Sequence, residues 1–547
     1  MKTLYQSLLL TLGVLALAGT AFAQVPQGTW SGNDTSDGNQ NTGMGLGALG
    51  TGATNAGFDN TASGYQALYS NGSGNQNTAS GYGALYTNAT GGSNTASGYE
   101  ALYSNVSGAY SSAYGFKALY FNTSGANTAA GAYALYFNTT GSGNTAFGYS
   151  ALFGTSGTTG SNNTASGYEA LSGITTGYDN TASGYGALYT NTTGNNDTAS
   201  GYQALYLNTT GGNNTASGYQ ALYSNTSGGN NTAFGDGALF NNTTGGNSTA
   251  SGYQALYYNS TGYGNTASGY QALYLNTTGG FNTASGYYAL LSNQTGDNNT
   301  ASGDFALYNN TSGGYNTASG MNALASGQSG NYNTASGYGA LYSATGNNNT
   351  ASGYEALYGS TSGSNNIAVG YEAGLTVTTG SDNIEIGNVG AAGDDKVIRI
   401  GTNQKKTIIA GIYSNTAISG LSVVIGSNGE LGAVSSSERF KTAITSMGSN
   451  TTKLQQLRPV TFHYKGDPQE TLRYGLIAEE VAKVYPELVV RDNSGRIDGV
   501  RYDELAPMLL NETQQQAAEI RELKQQVAEM HAALLKLQAK EEHLAQR

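Results

Sequence analysis

Asn60-Thr61-Ala62-Ser63-Gly64-Tyr65-Gln66-Ala67-Leu68-Tyr69-Ser70-Asn71 is the unit on which most of the chain is built. With substitutions it returns from Asn77 and Asn94, and later from Asn214, Asn231, Ser248, Asn265, Asn282, Asn299, Asn316 and Asn333. Roughly 20 copies follow at a period of about 17 residues, with weaker ones at Asn41, Ser111 and Asn383. A short fixed period marks a solenoid, in which each repeat stacks only on its neighbours. About 17 residues is too short for the helical repeats, and Thr- and Tyr-rich segments punctuated by Gly favour strands. Each coil is expected to hold a strand over 60–63, a bend at Gly64, a second strand over 66–70 and a Gly-rich return. Parallel stacking at about 4.8 Å then gives a rod of about 100 Å. Asn at a fixed coil position is expected to form an amide ladder.

Strand alternation puts Asn60, Ala62 and Gly64 on one side and Thr61 and Ser63 on the other. In the last copies the second set becomes Ile367 and Val369, then Ile384 and Ile386. That change points the Thr/Ser side inward or toward a partner chain. The small residues of the first side equally suit the lining of a narrow coil.

Composition agrees with a repeat architecture. The 547 residues include 82 Gly, 42 Tyr and only 5 Pro, and 10% are charged. Ordinary domains carry about 25% charged residues and about 7% Gly. Disorder normally comes with few aromatics, which this Tyr content opposes. Net charge is -12, and of the 21 Lys and Arg only Lys2 and Lys117 precede Lys396. The repeats therefore offer no basic surface to nucleic acid or anionic lipid. Cysteine is absent, so disulfides and thiolate metal sites are excluded. His463, His531 and His543 are scattered and read as surface residues. No cofactor or metal is expected.

Residues 1–23 read as a secretion signal. Lys2 gives the basic start, 8–17 is apolar, and Ala21-Phe22-Ala23 fits cleavage before Gln24. The apolar run is shorter than the roughly 20 residues of a membrane span. Export from a bacterial cell follows, to the periplasm, the cell surface or the medium, with no membrane insertion once the signal is removed. A linker is expected over 24–40, the array over 41–387 and a β-rich neck over 388–434. In the neck, Ile-rich runs at 397–401, 407–412 and 423–425 precede a turn at 427–429.

Asn366-Ile367-Ala368-Val369-Gly370 through Ala373, with its Thr/Ser versions upstream, resembles the head repeats of trimeric autotransporter adhesins. That likeness implies a left-handed parallel β-roll in a trimer. The translocating anchor of that family has no counterpart here.

A charged segment follows over 435–547. Its pieces are Ser436-x-x-Arg439-Phe440-Lys441, Leu457-Arg458-Pro459-Val460-Thr461-Phe462, then Tyr474-Gly475-Leu476-Ile477-Ala478-Glu479-Glu480-Val481. Tyr485-Pro486-Glu487-Leu488-Val489 and Val500-Arg501-Tyr502-Asp503-Glu504-Leu505 complete the set. In this order they resemble the intramolecular chaperone, auto-processing domain of endosialidase tailspikes and tail fibres. The resemblance implies a trimeric chaperone that cleaves itself off, with Ser436 as nucleophile and Lys441 as base. Ser437 stands where that family often has Asp.

The chemistry is also readable from the residues. A serine hydroxyl needs a base, and Lys serves when burial disfavours its charged form. Ser437 or Glu438 suits a helix start, with Glu438 favourable in the first turn. Phe440 is placed to shield Lys441. Attack by Ser436 on the preceding carbonyl would cut Ser435–Ser436 in a single turnover, with Ser437 the alternative nucleophile. The Ser/Lys spacing alone equally fits a helix cap with a solvated lysine; the downstream motifs favour the dyad. Further on, Ile520, Leu523, Val527, Met530, Leu534 and Leu537 alternate at three and four, a heptad seam over about 506–547. The seam alone also fits one amphipathic helix packed on its own domain; the resemblance to a trimeric chaperone implies a three-stranded coiled coil.

The expected fold is thus mainly β: a long parallel solenoid, a β-rich neck, and an α/β module ending in a coiled-coil helix, as a homotrimer. The favoured function is a secreted adhesin-like fibre matured by its own chaperone. One alternative is a tailspike-like protein that binds or degrades polysaccharide. Glycosidases need paired carboxylates, whereas Glu100, Glu169 and Glu355 are singletons at one repeat position. The other alternative is an ice- or surface-binding array, suggested by the recurring Thr61-x-Ser63.

Overall fold

A computed structural model of the chain describes residues 38–50, 56–409, 423–425, 431–433, 436–492 and 494–545. The signal over 1–23, nearly all of the linker, the turn at 427–429 and Ser435 lie outside the described residues. The chain divides after Thr407 into two compact units.

The first unit is a parallel β-solenoid. Its 22-stranded sheet takes one three-residue strand from each coil, β1 (Thr42–Met44) through β22 (Ile398–Ile400). Pairing is in register: Thr61 faces Thr78, Ala62 faces Ala79 and Ser63 faces Ser80. The ladder runs past residue 387, because β21 (Ile384–Ile386) pairs with β22. Runs expected in the neck thus begin inside the solenoid. At 22 rungs the stack is about 100 Å long.

One open choice is decided and one expectation is corrected. The Thr/Ser side does not point into the coil: Ala62 is buried in its strand while Thr61 is exposed and Ser63 partly so. The interior belongs to Asn60, Ala62, Ala67, Leu68 and Asn71, all buried. A coil this narrow has room for Ala at the strand and for one Leu at the turn.

There is also no second strand over 66–70. Gln66 and Leu68 have φ of 55° and 50°, in the left-handed region. Alternating left-handed residues curl the backbone and carry Ala67 and Leu68 inward. A bulky residue there costs about 1–2 kcal/mol. Inter-coil bonds hold it in place: Gln66 N–H donates to Leu46 O at 3.0 Å and Leu68 N–H to Ala84 O at 3.0 Å. The Gln66 amide thus reaches the coil before and the Leu68 amide the coil after, which ties the turn to both neighbours. Gly64 has φ of 131°, and an added Cβ would meet Gly81 O at 2.5 Å. That position admits only glycine.

The expected amide ladder is present and is one of two. Asn77 N–H donates to Asn60 Oδ1 at 2.9 Å, and its Nδ2 donates to Gly91 O at 2.9 Å. A second column runs through the other side of the coil, where Asn88 Nδ2 donates to Asn71 Oδ1 at 2.7 Å and to Gly91 O at 2.8 Å. The buried amides are satisfied by the adjacent coil together with a glycine carbonyl of their own, and losing one partner costs about 1–3 kcal/mol. Tyrosines stack at the same pitch outside: Tyr65 on Tyr82 at 5.1 Å, and Tyr69 on Tyr86 at 5.2 Å.

The last coil closes differently. Glu385 occupies the interior strand position that Ala holds upstream and is fully buried. Above it Arg399 clasps Asp394 through two bonds of 2.7 and 2.6 Å.

In the second unit β23 (Val423–Ile425) pairs antiparallel with β24 (Leu431–Ala433). Two further hairpins follow, β25 (Val460–Phe462) with β26 (Arg473–Gly475), and β27 (Val489–Arg491) with β28 (Ile497–Val500). A short helix, Ala478–Val484, and a long one, Tyr502–Ala545, complete it.

Candidate functional site

The four motif blocks that follow Lys441 converge on one small core. Leu454, Val481, Tyr485, Leu488 and Val489 are buried together, with Leu457, Leu476, Leu505 and Met508 packed against them. Each block contributes a tie. Arg458 pairs with Glu480 at 2.6 Å, and its guanidinium holds the Glu480 carboxyl below the usual range. Leu476 N–H donates to the Tyr502 hydroxyl at 2.8 Å, and Arg501 N–H to Leu488 O at 2.9 Å. A Cβ at Gly475 would meet that hydroxyl at 2.7 Å and push the Tyr502 ring away from its bond to Leu476. Tyr485 donates its hydroxyl to Asn450 O at 3.1 Å.

The long helix docks its first turns on this core through polar contacts. Asn511 Nδ2 donates to Thr451 Oγ1 at 2.7 Å, and Thr451 donates to Glu512 Oε2 at 3.2 Å. Beyond them it leaves the core, and none of its residues is buried. Ile520, Leu523, Val527, Met530, Leu534 and Leu537 are all more than half exposed.

Ser436, Ser437 and Lys441 lie ahead of the core, and all three are exposed. Glu438–Phe440 forms a single 3-10 turn, in which Phe440 N–H donates to Ser437 O at 3.1 Å and Lys441 N–H to Glu438 O at 2.9 Å. Ser437 precedes it in extended conformation without a side-chain cap, and Lys441 leaves it extended. The helix start expected near Ser437 or Glu438 is therefore one turn long. Phe440 is 65% exposed and lies against the Arg439 guanidinium at 4.6 Å, so it does not shield Lys441 within one chain. Among the described residues no side-chain hydrogen bond or ion pair engages Ser436 or Lys441. The single chain does not bring the two together.

Elsewhere, among the described residues no group of three or more His, Asp or Glu is placed to hold a metal ion. No described helix is long and apolar enough to cross a membrane. Lys117, the lone basic residue of the repeats, pairs with Glu100 at 3.4 Å. Three features escaped the sequence reading: the second Asn column, the stacked tyrosines, and the carboxyls buried at Asp197 and Glu385. The columns were visible as recurrent Tyr-x-Asn; the buried carboxyls needed the inward face to be known.

A stacked-coil shaft followed by a small module with an unpaired helix defines a fibre-like chain carrying a separate folding unit. Residues 436–490 match the family described as the chaperone of endosialidase, and the match opens at Ser436. Behind its solenoid the chain therefore carries a segment similar to that chaperone. No curated protein and no solved structure matches it.

Proposed function

We propose that this is an exported homotrimeric fibre whose C-terminal chaperone aligns three chains and then cleaves itself off at Ser435–Ser436. The match to the endosialidase chaperone, opening at Ser436, carries this reading. The bare apolar seam of the long helix supports it, because such a seam is stable in water against partner helices. A solenoid trimer has a high contact order across chains and folds slowly. Bringing chains into register first, then removing the assembling segment, makes assembly a kinetic lock.

The exposure of Ser436 and Lys441 in one chain fits cleavage that waits for assembly. Partner chains would supply the burial that makes Lys441 a base. Lys441 Nζ takes the Ser436 hydroxyl proton as Oγ attacks the carbonyl of residue 435. The amide C–N bond breaks, an ester forms, and the proton passes to the new amine. Water then hydrolyses the ester, leaving a carboxylate at 435 and the Ser436 hydroxyl free.

Denaturing and native gels of the full chain test this together. The wild type should yield a fragment beginning at Ser436 without added protease. Ser436→Ala and Lys441→Ala should leave full-length chains that still trimerise. Val527→Asp with Leu534→Asp should prevent both trimer and cleavage. Cleavage that survives Lys441→Ala overturns the dyad; cleavage that survives only Ser436→Ala moves the nucleophile to Ser437 or Ser435.

A further inference from the structure

The outer side of the solenoid sheet is a flat strip of in-register side chains. From Thr42 through Ile400 none of its outward strand residues is charged. Its Thr and Ser hydroxyls make no hydrogen bond among the described residues. Threonines in the return turns do: Thr192 Oγ1 donates to Thr209 O at 2.9 Å, and Thr209 Oγ1 to Thr226 O at 2.8 Å. The strip is thus left for something outside the coil.

Upstream the hydroxyl pattern is broken at single positions, by Met44, Tyr114, Ala130, Phe147 and Phe234; only at the last three rungs are both outward positions large and apolar. There the outward pairs are Ile367/Val369, Ile384/Ile386 and Ile398/Ile400, with Ile367, Val369 and Ile386 about 40% exposed, Ile398 64% and Ile400 70%. Ala368 and Glu385 hold the inward positions between them, so this change does not serve the chain's own core. Stacked in register, six β-branched side chains make one continuous apolar patch, which marks an interaction surface.

We infer that this strip, anchored at the Ile/Val rungs of β20 to β22, is where copies of the chain pack against one another in the rod. The inference rests on the homo-oligomeric reading above and names the surface that holds the shaft together. An uncharged, evenly spaced strip is self-complementary. Two copies aligned in the same direction meet rung on rung without like-charge repulsion, as a closed rotational symmetry requires. The helix seam that gathers the copies lies downstream in the same chain, so these rungs are the first of the shaft to be brought together. Apolar contact is strongest where packing begins, and the hydroxyl rungs upstream continue it.

The chain has no cysteine, so one introduced thiol reports its own neighbour. The tests use full-length Ser436→Ala chains carrying Ile386→Cys, Ile398→Cys, Val527→Cys in the helix seam, or Thr376→Cys in an exposed turn off the strip. A disulfide forms only if Cα atoms come within about 7 Å. Under mild oxidation the strip and seam variants should give disulfide-linked dimers on denaturing gels, and Thr376→Cys none. Crosslinking at Val527 with none at Ile386 or Ile398 overturns the strip and leaves the oligomer standing. No crosslink at any site, with a monomeric mass, overturns the oligomer and the strip with it. As a second measure, Ile384→Thr, Ile386→Thr and Ile398→Thr together put hydroxyls at three of the six apolar positions. The cleaved rod should then dissociate at a concentration at least tenfold higher than wild type; unchanged dissociation overturns the inference.

Discussion

At the scale of single residues, the structure is governed by what can sit inside a coil barely wider than an alanine. Asp197 interrupts the first amide column and is fully buried. Its Oδ1 accepts from Asn214 N–H at 2.8 Å and its Oδ2 from Asn208 Nδ2 at 3.1 Å. At neighbouring rungs an Asn Nδ2 donates to a glycine carbonyl, as Asn180 does to Gly194 O at 2.9 Å. An ionised Asp has no proton to give there. Burial pushes its carboxyl up to about 7, against the bonds from Asn214 and Asn208. A carboxyl raised on folding keeps its proton in the native state, so stability is full below the unfolded value and falls as pH rises toward about 7. Asp197→Asn should therefore match wild type in thermal unfolding at pH 4 and exceed it at pH 8, by on the order of 1–4 kcal/mol. An equal difference at both pH values would sink this account. The same constraint explains what the sequence hid. Leu68 at φ of 50° contradicts local propensity, and Gln66 gives no warning. The warning lay in other copies, where Gly83, Gly186, Gly237 and Gly339 take that position at φ near 61°. Periodicity announced the strand rung because Thr-Ala-Ser alternates; it misread the turn because the turn's order comes from adjacent coils.

At the scale of the element, the last coil differs from those beneath it. Glu385 is buried and both its carboxyl oxygens lack a hydrogen-bond partner among the described residues. Burial, then the Asp394 carboxylate, raises its carboxyl to about 7, opposed by Arg399. With the same sign as Asp197, this coil is firmest with Glu385 neutral and loosens as pH passes about 7. Glu385→Gln removes the charge and keeps the shape. In wild type the amides of Ile384 and Gly401, which bond to Val397 O at 2.9 Å and Ile386 O at 2.7 Å, should lose exchange protection between pH 6 and 8. In Glu385→Gln they should keep it once intrinsic exchange is corrected for. Loss in both proteins would show that the carboxyl does not govern the closing coil. The candidate cleavage site was less legible than the ladder. Its motif blocks could be recognised in order, and the ties of Arg458 to Glu480 and of Leu476 to Tyr502 give that order a physical reason. The environment of Ser436 and Lys441 was not readable, since one chain leaves both exposed and spacing says nothing about neighbours from other chains.

At the scale of the whole molecule, identical rungs make the shaft modular. Each strand pairs with the strand of the coil before and of the coil after, in the same register. Removing residues 265–281, one full unit, joins Gly264 to Asn282 and restores every column. The rod should shorten by about 4.8 Å, with thermal unfolding little changed. Removing half a unit should abolish cooperative unfolding, because the Asn and Ala positions then fall off their columns.

The placement of the basic residues has a last consequence. Between Lys2 and Lys396 a trypsin-like protease finds one residue to cut after, Lys117, and its ammonium is engaged by Glu100 with the ring of Tyr120 beneath it. The remaining 19 Lys and Arg stand from Lys396 onward. Digestion should consume the C-terminal segment and leave the stacked coils as one resistant product, recovered by mass on a denaturing gel. A shaft written almost without lysine and arginine is thus chemically invisible to a large class of digestive enzymes until Lys396, and the sites they can use stand at its closing rung and in the chain beyond it.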